Sequence, residues 1–180
     1  MKSLNNTGDY LELLHEYLTE KAGEKALVLF EEDIEPQSDS KPLIIIPMVE
    51  IDNAQWSDDG RHQDDLIVSL LVKIPHNLDK PSVQALNVAG FIRGTITDEL
   101  FCDHLNREDD QVNAPEDING QPLKWNTNER GYEVGFIQTV RYSAPEKEPF
   151  ELVAIDLKQR DGDTVRLYES GSDQDNPRTP

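Results

Sequence analysis

The spacing of apolar residues near the start of the chain predicts a helix. Between positions 10 and 18 these residues recur three and four apart, which is the period of a helix that buries one face. Asp9 precedes the run and Glu12 follows three residues later, a pair typical of a helix N-terminus. Gly23 is suited to end the helix because glycine readily adopts the left-handed conformation found there. We therefore predict a first helix over residues 10–21.

Two short segments after this helix have the composition of strands. Residues 26–30 are apolar, and residues 42–51 are rich in β-branched side chains. Proline cannot donate a backbone hydrogen bond, so Pro47 is expected at an edge or a bulge of its strand. The polar residues 52–63, with Trp56 in their middle, are predicted to form a loop.

Strict alternation marks the next segment, residues 65–74. One face of this strand is wholly apolar, whereas the other carries Ile67 and Leu71 between polar residues. That pattern predicts a central strand with a core on one side and a partner, or partial cover, on the other. Residues 132–142 also alternate and predict a further strand.

A second helix is predicted to begin after Pro81 and to cover residues 82–103, because apolar residues again recur three and four apart. Gly90 and Gly94 interrupt this pattern. They indicate either the close approach of a neighbouring backbone or a break between two shorter helices. The polar residues 104–130 that follow are predicted to be a long insertion loop.

The end of the chain predicts a hairpin and a tail. Two short apolar segments within residues 150–168 flank Asp161-Gly162, which has the chemistry of a hairpin turn. Residues 169–180 are polar and acidic and are expected to be disordered. The order of elements predicts one α+β domain over residues 1–168, with an antiparallel or mixed sheet, helices packed on one face and the extra hairpin.

The net charge of the chain excludes some classes of binding partner. The chain has 180 residues and a formal net charge of −19, which disfavours nucleic acid and anionic lipid as ligands. Residues 31–65 hold 11 acidic and 2 basic residues, whereas residues 66–100 hold 3 of each. No apolar run approaches the roughly 20 residues that a membrane helix needs, so no membrane partner is expected. The sequence therefore predicts a neutral core with acidic loops.

Few residues of the sequence have a spacing that suggests catalysis or metal binding. The densest cluster of catalytic residue types, positions 58–65, fits neither a calcium loop nor a zinc site, because its ligands do not follow the required spacing. Cys102 and His104 are too close in sequence to face each other as nucleophile and base without a third group. We therefore predict no catalytic residues, no metal and no cofactor, and expect a binding or assembly protein rather than an enzyme.

The order of elements from residue 42 to residue 142 resembles the tail terminator family of long-tailed phages, of the lambda minor tail protein U type, and the related tail completion and neck proteins. The matching features are an apolar strand ending near Val49, a polar loop with an aromatic residue, a strand over 66–74 leading into Pro75, a proline-initiated helix, and a late strand opened by Gly131-Tyr132 and closed by Val140-Arg141-Tyr142.

The resemblance implies a structural virion protein. In that family, subunits form a ring, here expected to be a hexamer, that caps the tail tube, stops its polymerisation and offers a surface for head joining. The implied partners are further copies of the chain, the tail tube protein and a head completion or neck protein. The ring would be assembled in the host cytoplasm and lie at the head-proximal end of the tail. DNA would pass its acidic channel without specific binding.

A closed ring needs two different patches per subunit, because each subunit meets its neighbours through unlike surfaces. The second face of the central strand offers one candidate, and the aromatic residues offer another. Alternatively, each tryptophan closes an edge of its own sheet. The candidate interface residues are Trp56, Asp58, Asp59, Arg61, Ile67, Leu71 and Trp125.

Two other functions stay open at this point. An acidic protein can mimic DNA and inhibit a nucleic-acid-binding enzyme, which explains the charge directly. The acidic residues are concentrated in 31–65 and in the tails, however, and not spaced evenly. A metal-dependent hydrolase built on positions 58–65 would lose activity in the variant Asp64→Ala, but no ligand spacing supports it.

Overall fold

The computed structural model describes residues 2–34, 41–75, 77–97, 101, 104–105, 109–123, 130–143, 154–158 and 164–169. The chain divides into two compact units, Met1–Pro145 and Glu146–Pro180. The first unit contains, in chain order, α1 (Thr7–Ala22), β1 (Leu27–Phe30), a 3-10 turn (Glu31–Asp33), β2 (Leu43–Ile46), β3 (Glu50–Trp56), β4 (His62–Ile74), α2 (Pro81–Thr97), β5 (Glu116–Leu123) and β6 (Arg130–Arg141).

The six strands of the first unit form one mixed sheet in the order β1-β2-β4-β6-β5, with β3 also paired to β4. Only the β1–β2 pair is parallel. On one side, β4 pairs with β6 over almost its whole length. On its other side it pairs with β2 near its end and with β3 near its start. The predicted α+β class is therefore confirmed.

Both helices help to bury one face of this sheet. Contacts link α2 to β4 and β6, and α1 to β1. Alternate residues of β4 point into the core beneath the helices and are almost fully buried: Leu66, Val68, Leu70, Val72 and Ile74. The predicted alternation is thus confirmed, and the opposite face of β4 is only partly buried.

Helix α1 begins three residues earlier than the sequence pattern predicted. Asn6 is the N-cap, and its side-chain oxygen accepts a hydrogen bond of 3.0 Å from the backbone N–H of Asp9. Asp9 itself lies in the first turn, where its carboxylate accepts from the backbone N–H of Asn5 at 2.8 Å. Both residues are good cap formers, so the sequence did not distinguish them. Gly23 ends the helix with a φ of 54°, as predicted.

The single strand predicted over residues 42–51 was wrong. The chain forms two strands, β2 and β3, because it leaves the sheet at Pro47 and rejoins β4 further along. Most of the loop predicted over 52–63 is also strand. All seven residues of β3 are exposed, so its sequence lacks the alternation that reveals a half-buried strand.

Helix α2 is continuous from Pro81 to Thr97 and passes through both glycines. A Cβ atom placed on Gly90 or Gly94 would meet nothing within 4 Å. Neither a helix break nor a closely packed backbone therefore explains these glycines. Residues 98–100 and 102–103 at the end of the predicted helix lie outside the described part of the chain.

The long loop predicted over 104–130 contains strand β5, which pairs with β6 at the edge of the sheet. The prediction of a loop was wrong here because an exposed edge strand keeps polar side chains. Gly120 and Pro122, read as loop formers, lie within this strand. Such residues are tolerated at an edge, where one side of the backbone has no neighbouring strand.

The second unit contains β7 (Ala154–Lys158) and β8 (Thr164–Glu169), paired antiparallel. The predicted C-terminal hairpin is therefore confirmed in its strands. Its turn at Asp161-Gly162 and residues 170–180 of the predicted tail lie outside the described residues. The domain predicted over residues 1–168 spans the first unit and part of the second.

Adjacent leucines of β4 offer a direct check of the fold. Leu70 is fully buried under the helices, whereas Leu71 lies half-buried on the other face. Leu70→Ala should lower the free energy of unfolding by about 2–5 kcal/mol, because it leaves a cavity in the core. Leu71→Ala should lower it clearly less. Urea unfolding measures both, and equal losses would contradict the assignment of the two faces.

Candidate interaction surfaces

The sheet patch comprises Ile67, Leu71 and Ile137 on the face of the sheet away from the helices. Ile67 pairs directly with Ile137 across the β4–β6 ladder. Leu71 lies four residues along β4 and therefore shares their face. Ile67 is 37% exposed, and the other two are half-buried. The structure thus places the two predicted residues on one face and adds Ile137 beside Ile67. The alternation of residues 132–142 was the sequence signal that could have identified Ile137.

The β3 patch comprises Ile51 and Trp56, which are 54% and 73% exposed, and Met48, which precedes the strand, is 87% exposed. Among the large hydrophobic residues that the structure describes, these three are the most exposed. Ile51 pairs with the core residue Leu66, and Trp56 pairs with His62. Because paired residues point to the same face, Ile51 and Trp56 lie on the helix side of the sheet.

The predicted interface residues therefore do not form one surface. Trp56 lies on the opposite face of the sheet from Ile67 and Leu71, because two strands of the same ladder fix all three orientations. Trp56 contacts His62 edge-to-face, with 5.8 Å between ring centroids, yet its indole stays largely exposed. Closing its own sheet edge thus covers only a small part of this side chain.

A tight turn joins β3 to β4 and holds the remaining predicted residues. The backbone N–H of Gly60 donates to the carbonyl of Ser57 at 2.9 Å, and Gly60 adopts a φ of 80° that favours glycine. The carboxylate of Asp59 accepts a hydrogen bond of 2.7 Å from Nε of Arg61 and a second bond from the hydroxyl of Ser57. These bonds hold the pKa of the Asp59 carboxyl well below its ordinary value. Asp58, beside it, is exposed.

Arg61 is buried, although the sequence suggested an exposed interface residue. Its guanidinium donates to the backbone carbonyls of Asp109 at 2.5 Å, Ser143 at 3.3 Å and Asp110 at 3.4 Å. It also forms an ion pair with Asp59 at 2.6 Å. Its donors are thus used inside the fold, where they connect the β3–β4 turn to residues 109–110 and to the end of β6.

A second buried group, Gln111, fixes the start of the chain. Its side-chain amide accepts from the backbone N–H of Leu4 at 3.1 Å and donates to the carbonyl of Leu4 at 2.8 Å. The backbone carbonyl of Gln111 accepts a bond of 2.7 Å from the N–H of Arg141. The polar segment before β5 therefore joins the N-terminus to β6, which no sequence pattern indicated.

Asp64 and Tyr142 form a buried polar pair beside the core. The Tyr142 hydroxyl donates to the Asp64 carboxylate at 2.8 Å and lies 2.9 Å from the hydroxyl of Thr7. Burial and the bond to Asp64 together raise the pKa of Tyr142 to about 12, against the opposite effect of Thr7. The ring of His62 stacks on Tyr142 at a centroid distance of 5.7 Å. This pair attaches the first turn of α1 to the sheet.

The acidic residues at 58–65 do not converge on one site. Asp64 points to the helix side of the sheet, whereas Asp65 lies on the other face and accepts from Thr139 at 2.6 Å. Within the part of the chain that the structure describes, no group of three or more His, Cys, Asp or Glu side chains could hold a metal ion. Nε2 of His104 lies 3.3 Å from the carboxylate of Glu20, and Cys102 lies outside the described residues.

Comparison with known proteins adds no relative. No protein-family model matches the chain, and no curated protein matches its sequence. The resemblance to tail terminators therefore stays a prediction from the order of elements. Trp125, the second predicted aromatic contact, lies outside the described residues. Of the helices described here, none is long and apolar enough to cross a membrane.

The Asp59–Arg61 pair predicts a pH dependence of stability. Because the pKa of Asp59 is depressed in the folded state, its contribution is present above the unfolded pKa of about 4. As the pH falls below that value, toward the lower pKa that Asp59 has in the folded protein, this contribution to the free energy of unfolding is lost. Asp59→Asn should therefore destabilise the protein at pH 7, and its difference from the wild type should shrink below about pH 4.

Urea unfolding between pH 7 and pH 3 measures this difference. Asp58→Asn is the matched control, because it removes the same charge from the same turn at an exposed position. A difference between Asp59→Asn and wild type that stays constant down to pH 3, or an equal effect of the control, would contradict the account.

Proposed function

We propose that the protein is a ring-forming structural subunit of a phage tail. The ring caps the tail tube, stops its polymerisation and offers a surface for head joining. The observation that carries this proposal is the presence of two different apolar patches on one subunit. The sheet patch and the β3 patch lie on opposite faces of the same sheet.

Two unlike patches suit contacts that are repeated head to tail. In such an assembly the β3 patch of one subunit meets the sheet patch of the next, and neither patch is used twice. Ile67 and Ile51 provide partly exposed apolar side chains at the two patches. A subunit with one self-complementary patch would form a two-fold dimer instead. This arrangement therefore supports a ring with identical contacts between neighbours.

The charge of the chain is compatible with such a ring. Each subunit carries a formal net charge of −19, so copies repel one another except where uncharged surfaces meet. The side chains of the sheet patch and the β3 patch are themselves uncharged, whereas Glu50 and Glu133 lie beside the sheet patch, paired with Ile67 and Leu71. An acidic channel would let DNA pass without binding it, because phosphates are repelled by carboxylates.

An acidic DNA mimic is the competing proposal, and the bonding of the acidic residues argues against it. A mimic needs free carboxylates in a regular array that can replace phosphates. Asp64 is buried, and Asp59 and Asp110 each form an ion pair with an arginine of the same chain. These three carboxylates are therefore engaged inside the subunit and do not contribute to such an array.

The double variant Ile67→Asp/Leu71→Asp tests the ring. Two charges on the sheet patch should prevent its desolvation and convert rings to monomers, as measured by light scattering over a range of protein concentration. Leu86→Asp is the matched control, because Leu86 is similarly exposed but lies on α2, outside both patches. An unchanged oligomer in the double variant would place the contacts elsewhere.

Tube assembly tests the function itself, including the case in which rings form only on tube ends. Tail tubes polymerised with the wild-type protein should have a narrow length distribution. Tubes made with the double variant should be as heterogeneous as tubes made without any of this protein. The proposal is contradicted if the wild-type protein leaves the length distribution unchanged.

A further inference from the structure

We propose that the outward side of α2 is a binding surface for an acidic amphipathic helix of a protein partner. Four residues of α2 follow one another at intervals of three or four positions and therefore share that side; they form the α2 stripe, Val83, Leu86, Gly90 and Gly94. The stripe is about 16 Å long, given the rise of an α-helix per residue. Val83 and Leu86 are each 52% exposed, so the fold leaves apolar side chains of this helix in contact with solvent.

The two glycines of the α2 stripe have no explanation inside the chain. Glycine destabilises a helix relative to alanine, because its backbone loses more freedom on folding. Neither Gly90 nor Gly94 adopts a positive φ, and a Cβ atom at either position would meet nothing within 4 Å. What glycine does provide is a bare stretch of helix that a second helix can approach closely. The glycines thus point to a contact outside the chain.

A groove beside the α2 stripe adds depth to this surface. It lies between α1 and α2, has a volume of about 350 Å³ and is lined by Tyr17, Lys21, Gly90, Phe91, Gly94 and Thr95. The hydroxyl of Tyr17 donates to the backbone carbonyl of Thr95 at 3.3 Å, so a hydrogen bond joins the two helices at the groove. An apolar side chain of a partner that lies on the stripe can therefore enter the groove.

The α2 stripe fits a helix better than an extended peptide. An extended peptide binds through its backbone and needs a free sheet edge. Along the stripe, the backbone groups of α2 are bonded within the helix itself, so the surface offers only side chains and the close approach at the glycines. A partner helix also bonds its own backbone and presents apolar side chains at the same spacing of three and four residues.

The charges beside the α2 stripe favour an acidic partner. Asp and Glu make up 36 of the 180 residues, yet α2 contains none, and its one charged residue is Arg93. Arg93 follows Gly90 by three positions, so it lies beside the stripe. On the other side, Lys21 lines the groove, with its ammonium 5.3 Å from the centre of the Tyr17 ring. Two positive charges therefore flank an uncharged apolar surface.

The acidic residues of α1 next to the groove are engaged elsewhere. Glu16 forms an ion pair with Lys2, and the carboxylate of Glu20 lies 3.3 Å from Nε2 of His104. More distant carboxylates are screened beyond a Debye length of about 8 Å at physiological salt. The net charge of −19 therefore does not decide which partner this surface prefers.

Two model peptides of about 20 residues, long enough to form a helix, test the surface. Both carry leucine and alanine on one face, and the flanking positions hold glutamate in the acidic peptide and lysine in the basic one. In NMR spectra of the isotope-labelled protein, the backbone signals of Gly90 and Gly94 should shift in a saturable way with the acidic peptide only. An acidic peptide with prolines at its centre cannot form the helix and should cause no such shift. The proposal is overturned if the acidic peptide leaves both signals unchanged, or if either control peptide shifts them equally.

The double variant Gly90→Ala/Gly94→Ala separates binding from folding. Alanine favours a helix, so this variant should unfold at a higher urea concentration than the wild type. Its methyl groups stand where the partner helix would lie, so its affinity for the acidic peptide should fall about tenfold. A purely structural role of the glycines predicts no such loss in a more stable protein. An unchanged affinity would contradict the proposal.

Lys21→Gln tests the charge preference. It should weaken binding of the acidic peptide about two- to fivefold, the effect of losing one exposed ion pair. Lys25→Gln is the matched control, because it removes the same charge from an exposed position outside the groove. If the two variants weaken binding equally, the peptide is not held at the groove and the proposal fails. Leu86→Asp, which should leave the ring intact, should also weaken the acidic peptide, so the ring and this surface are tested separately.

Discussion

The pairing of β4 on both of its sides is the constraint on which the rest of the structure depends. This strand of 13 residues joins β6 along one side, and β2 and β3 along the other. Side chains alternate along a strand, so one register decides which residues enter the core and which stay outside. The same register puts Ile67 and Leu71 on one face and orients Ile51 and Trp56, through β3, toward the other. The two candidate contact surfaces are thus consequences of one strand.

The sequence predicted the elements that carry an apolar period and missed those that do not. Strand β4, strand β6 and both helices have that period, because each buries one face. Strands β3 and β5 are exposed and polar, and they are strands because a long neighbour offers hydrogen bonds at its edges. Pairing of this kind depends on residues far apart in the chain, so local composition does not reveal it.

Like the fold, the candidate surfaces could be predicted from the sequence only where the residues follow an apolar period. Ile67 and Leu71 follow from alternation alone, but joining them to Ile137 requires the β4–β6 register. Arg61 looked like an exposed loop residue because four acidic residues lie within four positions of it. Its burial depends on the carbonyls of residues 109, 110 and 143, whose approach is a tertiary effect. Polar residues that bond across the fold leave no periodic signal in the sequence.

The central claim is that subunits meet through two unlike patches. The most direct measurement is the mass of a mixture of two variants: Ile67→Asp/Leu71→Asp, which places charges in the sheet patch, and Ile51→Asp, which places a charge in the β3 patch. Each variant alone should be monomeric. Mixed in equal amounts, they retain one intact contact between them and should form a dimer of twice the subunit mass and nothing larger. At a concentration at which the wild-type protein assembles, a mixture that stays monomeric would contradict the claim, as would full assembly of either variant alone.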